Sequence, residues 1–345
     1  MKKRITYIDF AKAIAIYLVV IAHFLRNGAF FAYLIPASVP VFFALSGLTY
    51  SYDKTCIEFF GKKIKTIVIP YFFAAFVSVI VYTFLGKNAG TSLKSNGQDY
   101  SISENIFGIF YANAKTGLMK WNNSLWFLPC LFSTLSIVFL FDKIVSQKKG
   151  TVSTKIRIIF AICSSLLGFF ITAFFPKFYL PWHIETALIN VAFVECGIIL
   201  KDFVFENFKA SFKFFIIMLI AFLAALVLSY LNGEVSARTD EYSNFLIYFV
   251  SALLFSTSFM LLGCFFDKAK IMHYVGRSTL QILIWNKFPI ILMQMKIPFI
   301  KNAIKNPDEF RSLVICFLPS MAVIFICIII GKIQNKLLPV TLPSR

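Results

Sequence analysis

The chain has 345 residues, of which 59% are hydrophobic and only 14% are charged. Soluble domains carry about 25% charged residues, and disordered chains are poor in hydrophobic residues, so this composition excludes both classes. At about 20 residues per membrane-spanning helix, the hydrophobic content predicts about ten spans. Because the apolar runs are continuous rather than alternating, the predicted fold class is all-α: a polytopic integral membrane helical bundle.

The apolar runs, taken in chain order, predict ten membrane-spanning helices joined mostly by short loops. The longest loop, 87–123, contains a segment at 102–120 that is predicted to form a short surface helix. No appended soluble domain is recognised, so residues 1–345 are predicted to form a single membrane domain. The predicted spans are 5–26, 31–51, 67–86, 124–145, 157–176, 184–200, 214–232, 245–266, 279–297 and 312–332.

The net charge of +18 is interpreted as a topology signal rather than as a nucleic-acid interface, because the cations fall in short clusters between apolar runs. If the N-terminus is cytoplasmic, inside segments hold 21 of the 34 Lys and Arg residues, outside segments hold 11, and two lie within spans. This excess predicts that both termini are cytoplasmic. The expected partner of the surface is the lipid bilayer, with no nucleic acid.

The seven Cys residues form no CxxC pair, and the three His residues are widely separated. The sequence therefore predicts neither a disulfide framework nor a metal site. The first apolar run carries two charged residues and lacks a small-residue cleavage site, so it is expected to remain as the first span.

Ionisable residues within predicted spans are few, and residues of this kind usually mark function. Asp9 and Lys12 are three residues apart and share a helical face. His23 follows Lys12 by eleven residues, which is three turns and returns to nearly the same face. These three side chains are predicted to form one polar stripe along the first span, and a structural Asp9–Lys12 ion pair is the alternative. The residues singled out in this way are Asp9, Lys12, His23, Glu185, Glu195 and Lys287.

Two further segments of the N-terminal part have two interpretations each. Residues 39–47 (VPVFFALSG) contain Pro40, Ser46 and Gly47, which either loosen the backbone locally or pack against another helix through small residues. The basic run 62–65 (KKIK) precedes Pro70. It is either a positive-inside anchor or a site for an anionic cytoplasmic ligand such as the phosphates of a nucleotide.

These motifs, in this order, resemble the membrane-bound acyltransferase family 3, the polysaccharide O-acetyltransferases. That family opens with an Asp, an Arg three residues later and a His eleven residues after the Arg, which resembles the pattern here with Lys in the Arg position. It continues with a PxFFxxSG helix and a basic pair before a Pro-Tyr. The matching residues are Asp9, Lys12, His23, Pro40, Phe42, Phe43, Ser46, Gly47, Lys62, Lys65, Pro70 and Tyr71.

Later segments extend the resemblance over nearly the whole chain. Residues 124–128 (SLWFL) are similar to an LWFL element, residues 180–200 are similar to the fucose 4-O-acetylase-like branch, and residues 276–280 resemble the start of the ninth span. The sequence departs from the family where Lys12, Lys62 and Lys65 stand in Arg positions, because Lys lacks the planar guanidinium fork. It departs again at Asn286, where the family often has a His, although Lys287 lies next to it.

The resemblance implies an O-acyltransferase, with acetyl as the default group, that moves an acyl group from cytoplasmic acyl-CoA to a sugar hydroxyl. The acceptor would be a cell-surface glycan or its lipid-linked precursor, and the location would be the bacterial cytoplasmic membrane. Acetyl-CoA would be the donor substrate, no cofactor would be permanently bound, and glycan-synthesis or export proteins would be partners. The alternative is a transporter or flippase for a glycan or small polar substrate without acyl chemistry.

The resemblance also implies roles for individual residues. His23 is the expected general base or transient acyl carrier, beside Asp9 and Lys12 as further catalytic residues. The expected donor-binding residues are Lys62, Lys65 and Arg4. The expected acceptor-binding residues are Glu185, Trp182, Trp126 and Asn286, and no residue is expected to bind a metal.

Overall fold

The computed structural model describes residues 6–24, 29–88, 102–119, 122–149, 152–202, 211–233, 235–266, 268–305 and 309–342. The fold is 85% helical, and no β-strand occurs in these ranges, which confirms the predicted all-α class. The helices, numbered in chain order, are α1 Thr6–Phe24, α2 Ala29–Leu48, α3 Cys56–Lys63, α4 Ile69–Asn88, α5 Ile102–Tyr111, α6 Phe127–Lys149, α7 Thr154–Phe174, α8 Ile184–Asp202, α9 Phe212–Asn232, α10 Phe245–Phe265, α11 Lys270–Arg277, α12 Thr279–Trp285, α13 Lys287–Lys296, α14 Pro298–Lys305 and α15 Glu309–Leu337.

Eight candidate spans within the described ranges are long and apolar enough to cross a bilayer, and they confirm a multi-pass membrane protein. Each of the eight corresponds to one predicted span, and seven match it to within a few residues at most ends. The remaining two predicted spans fall on α2, of which Ser38–Leu48 forms a shorter apolar segment, and on the α12–α13 pair. The count of ten and the cytoplasmic termini stay predictions. The candidate spans are Tyr7–Phe24, Cys56–Tyr82, Asn123–Ser146, Thr154–Phe174, Pro181–Lys201, Phe212–Asn232, Phe245–Phe265 and Arg311–Leu337.

The third predicted span begins eleven residues too late, because the helix starts at Cys56 rather than at 67. Thr55 and Glu58 form a capping box, in which each side chain accepts a hydrogen bond from the backbone N–H of the other residue. A π-helical turn, Ile64–Val68, joins α3 to α4. Pro70 lacks an N–H and crowds the carbonyl one turn earlier, so a wider turn lets the helix continue through it.

Two other predicted helices are shorter in the structure than in the sequence analysis. The predicted ninth span is divided at Asn286, because Pro289 cannot donate the helical hydrogen bond to the carbonyl oxygen of Trp285. The predicted surface helix at 102–120 ends at Tyr111, because Ala112 has a left-handed backbone conformation with φ of 57°. A 3-10 turn, Ala114–Thr116, then follows.

The residues form two compact units. The first comprises Met1–Tyr50, Ser153–Ala161 and Ala192–Lys332, and the second comprises Ser51–Val152, Ile162–Val191 and Ile333–Arg345. In the first unit, α1 packs against α2, α10 and α11. Its apolar core consists of small and large residues from α1, α2, α9 and α10: Ile8, Ala11, Ala15, Val41, Ala44, Leu45, Leu48, Ala225, Phe255, Phe259 and Met260.

The second unit is held together by aromatic stacking and by hydroxyl groups that donate to backbone carbonyls. Phe59 of α3 stacks on Phe139 of α6, with ring centroids 3.9 Å apart. On α7, the hydroxyls of Ser164 and Ser165 donate to the carbonyl oxygens of Leu188 and Ile189, each over 2.9 Å. Because lipid offers no hydrogen bonds, such internal partners are what a membrane interior requires.

A close approach of two backbones joins α2 to the part of α8 that belongs to the first unit. A Cβ added at Gly47 would lie 2.0 Å from the carbonyl oxygen of Val194, and one added at Gly197 would lie 2.0 Å from that of Ala44. Only hydrogen fits at either position, so the helix-packing interpretation of the PVFFALSG segment is confirmed.

We expect Gly47→Ala to destabilise the protein by about 1–3 kcal/mol, because the added methyl group forces the two helices apart. The measurement is the apparent unfolding temperature of the purified protein in detergent. Gly61→Ala is the matched control: no atom lies within 4 Å of a Cβ at this position of α3, and Ala is the better helix former. An equal loss of stability in both variants would contradict the packing argument.

Candidate functional site

The predicted stripe on α1 runs from Asp9 in the first turn to His23 in the last turn. Asp9 is buried, and Lys12 and His23 are half-buried. Arg4, the fourth charged residue predicted for this region, lies outside the described residues. The stripe therefore lies on a single helix that packs centrally in the first unit.

His23 is held in one tautomer by its own helix. Its Nδ1 lies 2.6 Å from the carbonyl oxygen of Val19, one turn earlier. A carbonyl oxygen only accepts, so Nδ1 carries the hydrogen and, in the neutral ring, Nε2 is the basic nitrogen. An imidazole oriented in this way can remove a proton from a hydroxyl group that reaches Nε2.

At the other end of the stripe, Asp9 pairs with a residue far away in sequence. The Nε of Arg277, at the end of α11, donates to Oδ2 of Asp9 over 3.4 Å. Gly276 makes this approach sterically feasible, because a Cβ there would lie only 1.8 Å from the carbonyl oxygen of Asp9. In the sequence, residues 276–280 mark only the predicted start of the ninth span. The ion pair between Arg277 and the stripe was therefore not predicted.

The helices after α11 also contact α1. Gln294 of α13 donates from Nε2 to the carbonyl oxygen of His23 over 3.4 Å. Asn286, between α12 and α13, is completely buried, and its Nδ2 donates to the carbonyl oxygen of Leu283. Its Oδ1 has no hydrogen-bond partner among the described residues. A buried orphan acceptor of this kind is costly and can receive a hydrogen bond from a substrate hydroxyl.

The predicted donor-binding cations lie in the second unit at the junction of α3 and α4. Lys62 and Lys65 are both exposed, and Lys65 lies within the π-helical turn. The hydroxyl of Thr66 donates to the carbonyl oxygen of Lys62 over 2.9 Å, which satisfies one backbone acceptor at this wider turn. Two exposed ammonium groups on one turn create a positive surface that can attract an anion.

Glu185, at the start of α8, is the centre of a buried polar cluster in the second unit. Its Oε1 accepts hydrogen bonds from Nζ of Lys115 over 3.0 Å and from Nδ2 of Asn113 over 2.8 Å. Its Oε2 accepts from the backbone N–H of Leu180 over 3.2 Å. Burial lowers the pKa of Lys115, and the Glu185 carboxylate opposes that shift. The carboxylate therefore fastens the 113–115 segment to the turn before α8.

His183 and Trp182, in the same turn, bring the other predicted acceptor residues together. The backbone N–H of Ala114 donates to Nε2 of His183 over 2.8 Å, and the His183 ring lies 5.3 Å from that of Trp126. Nε1 of Trp182 donates to the carbonyl oxygen of Phe110 over 3.1 Å. Trp182 and His183 both have left-handed φ angles, so the turn is strained as well as cross-linked.

A small cavity also lies in the second unit. It has a volume of about 10 Å³ and is lined by residues of α4, α5 and the following loop. Such a volume holds about one water molecule, far below the volume of at least about 300 Å³ typical of small-molecule sites. The lining residues are Ala75, Ser78, Val79, Asn105, Ile109, Leu118, Met119 and Asn122.

A third ion pair, with both side chains buried, lies in the first unit and has no predicted role in substrate binding. Nη1 of Arg157 on α7 lies 3.2 and 3.0 Å from the two carboxylate oxygens of Glu195 on α8. Both side chains are almost fully buried. Glu195 was singled out in the sequence because it lies within a span, but its partner was not predicted.

The structure therefore divides the predicted site residues between the two units. Asp9, Lys12, His23 and Asn286 belong to the first unit, and Lys62, Lys65, Glu185, Trp182 and Trp126 belong to the second. Of the latter, Glu185, Trp182 and Trp126 lie around one turn, as described above. No group of three His, Cys, Asp or Glu residues arranged to hold a metal ion occurs in the described ranges.

The helical architecture and the buried charges define a multi-pass membrane protein with a polar site on its first helix. A family model described as an acyltransferase domain matches residues 5–331, which is nearly the whole chain. The chain belongs to acyltransferase family 3, and it is an acyltransferase that acts on groups other than aminoacyl groups. Searches of curated proteins and of solved structures found no match.

We expect Glu185→Gln to destabilise the protein by about 3 kcal/mol near pH 7, because it leaves the buried Lys115 ammonium without its carboxylate. The folded pKa of Lys115 is lowered from 10.5, so unfolding takes up protons between the two pKa values and stability rises with pH there. Without the carboxylate, the pKa of Lys115 in the folded variant is lower still. The pH interval in which unfolding takes up protons therefore extends toward neutral pH. The deficit in apparent unfolding temperature should therefore shrink between pH 7 and pH 9.5.

The double variant Lys115→Met/Glu185→Gln should recover part of the lost stability, because it removes the uncompensated charge. Lys177→Met is the control, since Lys177 is exposed. A Glu185→Gln deficit that does not change with pH would contradict the ion-pair argument.

Proposed function

We propose that the protein is a membrane O-acyltransferase that moves an acyl group, with acetyl as the default, from cytoplasmic acyl-CoA to a sugar hydroxyl. The proposed acceptor is a cell-surface glycan or its lipid-linked precursor, and the proposed location is the bacterial cytoplasmic membrane. The observation that carries this proposal is the hydrogen bond from His23 to Val19, which leaves Nε2 as the basic atom on the predicted polar stripe of α1.

In the proposed reaction, Nε2 of His23 takes the proton of the acceptor hydroxyl while the hydroxyl oxygen attacks the thioester carbonyl. The tetrahedral intermediate then collapses, and the C–S bond breaks. The CoA thiolate leaves and takes the proton back from the imidazolium, so that His23 returns to its starting state. In the variant of this proposal with an acyl carrier, the acyl group passes first to Nε2 and then to the acceptor.

Donor binding is proposed to use Lys62 and Lys65, whose exposed ammonium groups are available to the phosphates of acyl-CoA. Lys in place of Arg keeps the charge and loses bidentate geometry, so these two residues attract the donor more than they orient it. Arg4 and Lys12 are proposed as further cations that attract the donor. Asp9 is proposed to hold the stripe in place through its contact with α11.

Acceptor binding is proposed to involve the aromatic and polar groups around the turn before α8. Trp182 is half-buried and is proposed to offer a ring face, whereas Trp126 is buried against His183 and Glu185 keeps the turn in shape through its protein contacts. Asn286 is proposed to accept a hydrogen bond from the sugar through its orphan Oδ1. The likeness to the fucose 4-O-acetylase-like branch supports a sugar acceptor, and glycan-synthesis or export proteins are the proposed partners.

We expect His23→Ala to reduce acyl transfer about 10²–10⁴-fold, because a positioned general base contributes a factor of that size. The measurement uses the purified protein in proteoliposomes with acetyl-labelled acetyl-CoA and a glycan-lipid extract. Labelled acetyl groups that appear in the extract are counted for wild type and variant at equal protein amounts.

Lys213→Ala is the control, because Lys213 is an exposed cation at the start of α9 and should leave transfer unchanged. Equal transfer by His23→Ala and wild type would remove His23 from the mechanism. Movement of the glycan-lipid across the vesicle without acetyl-CoA and without label transfer would replace the proposal with the transport alternative.

A further inference from the structure

Arg277 presents an anchored guanidinium that is only partly used by the protein. Its side chain is 45% exposed, and its Nε is held by Oδ2 of Asp9, a carboxylate that is itself buried. The two terminal amino groups, Nη1 and Nη2, have no hydrogen-bond partner among the described residues. The contact at Nε therefore orients the guanidinium, while Nη1 and Nη2 are available to bind a ligand.

His273 lies one turn before Arg277 on the same helix, so both side chains share one face of α11. His273 is 92% buried, and its Nε2 has no hydrogen-bond partner in the part of the chain that the structure describes. A buried orphan nitrogen costs free energy unless a ligand pairs with it. The Nε2 atom of His273 is therefore evidence for a ligand that is separate from the exposed guanidinium of Arg277.

Other features keep this face in place and make it positive. Gly276 allows α11 to approach α1 until the backbones touch at Asp9, so the direction of the Arg277 side chain is set by helix packing. Lys270 is exposed on the same helix, and Nζ of Lys332 lies 5.1 Å from the ring of Tyr274. Exposed cations on and beside one short helix raise the local concentration of anions.

We propose that Arg277, positioned by Asp9 and accompanied by His273, is a second donor-binding site that holds a phosphate of the nucleotide part of acyl-CoA. The available edge of the guanidinium forms a planar two-donor fork, which matches phosphate oxygens bidentately. Arg277 thereby supplies the geometry that Lys12 and Lys65 lack. This inference rests on the proposed function, because it takes acyl-CoA as the donor and α11 as cytoplasmic.

The same chemistry would recognise the phosphate of an anionic lipid, so the test separates the two sources. Purified protein in nanodiscs made only of phosphatidylcholine is titrated with coenzyme A and, in parallel, with pantetheine, which lacks the nucleotide. We expect Arg277→Gln to weaken coenzyme A binding about tenfold and Arg277→Lys about threefold, with no change for pantetheine. His273→Asn should weaken coenzyme A binding severalfold, and Lys213→Ala should not change it.

Equal coenzyme A affinity in wild type and Arg277→Gln would overturn the proposal, as would equal weakening of coenzyme A and pantetheine. If Arg277→Gln leaves coenzyme A affinity unchanged but reduces binding of phosphatidylglycerol vesicles, the site binds lipid. That result would also overturn the proposal. If Arg277→Gln does not fold, Arg277→Lys decides the outcome, because it keeps the charge opposite Asp9. Tight coenzyme A binding without acyl transfer would defeat the proposed function alone and leave this site in place.

Discussion

A charged side chain within an apolar helical bundle is so costly without a partner that the few buried charges of this chain determine much of its packing. Three ion pairs satisfy this constraint in the described residues, and each joins segments that are distant in sequence. One pair ties α1 to α11, one ties α7 to α8, and one ties the loop after α5 to the start of α8. The pairs are Asp9–Arg277, Arg157–Glu195 and Lys115–Glu185. The glycines at 47, 197 and 276 serve the same packing, because they let backbones approach until polar groups meet.

These contacts explain how one helix can carry reactive groups through an apolar environment. Asp9 is fixed by Arg277 at one end of α1, while at the other end His23 is oriented by the carbonyl of Val19 and its backbone is contacted by Gln294. The proposed basic nitrogen, Nε2 of His23, is therefore positioned by intrahelical geometry. In the second unit, the turn before α8 is fixed by Glu185 in a comparable way, which keeps two Trp side chains in place.

The sequence was sufficient to predict the membrane class, the family and most helix positions, because apolar runs and helical spacing depend on local composition. The stripe of Asp9, Lys12 and His23 was predictable for the same reason. The partners Arg277 and Lys115 were not, since their contacts span 268 and 70 residues and no local pattern encodes them. The helix start at Cys56 was encoded locally by the capping box at Thr55. It was not predicted, because the span was assigned from the apolar run, which begins further along the chain. The break at Asn286 was encoded by Pro289, three residues further on.

The proposed role of His23 is to catalyse the transfer of an acyl group to a surface glycan. Its most direct test is mass spectrometry of surface glycans from cells that produce wild-type protein, His23→Ala at the same level, or no protein. The account predicts acetyl increments on the glycan with the wild-type protein and their loss in both other strains. Acetyl increments that persist with His23→Ala but disappear without the protein would contradict the claim, because the acyl transfer would then depend on other residues.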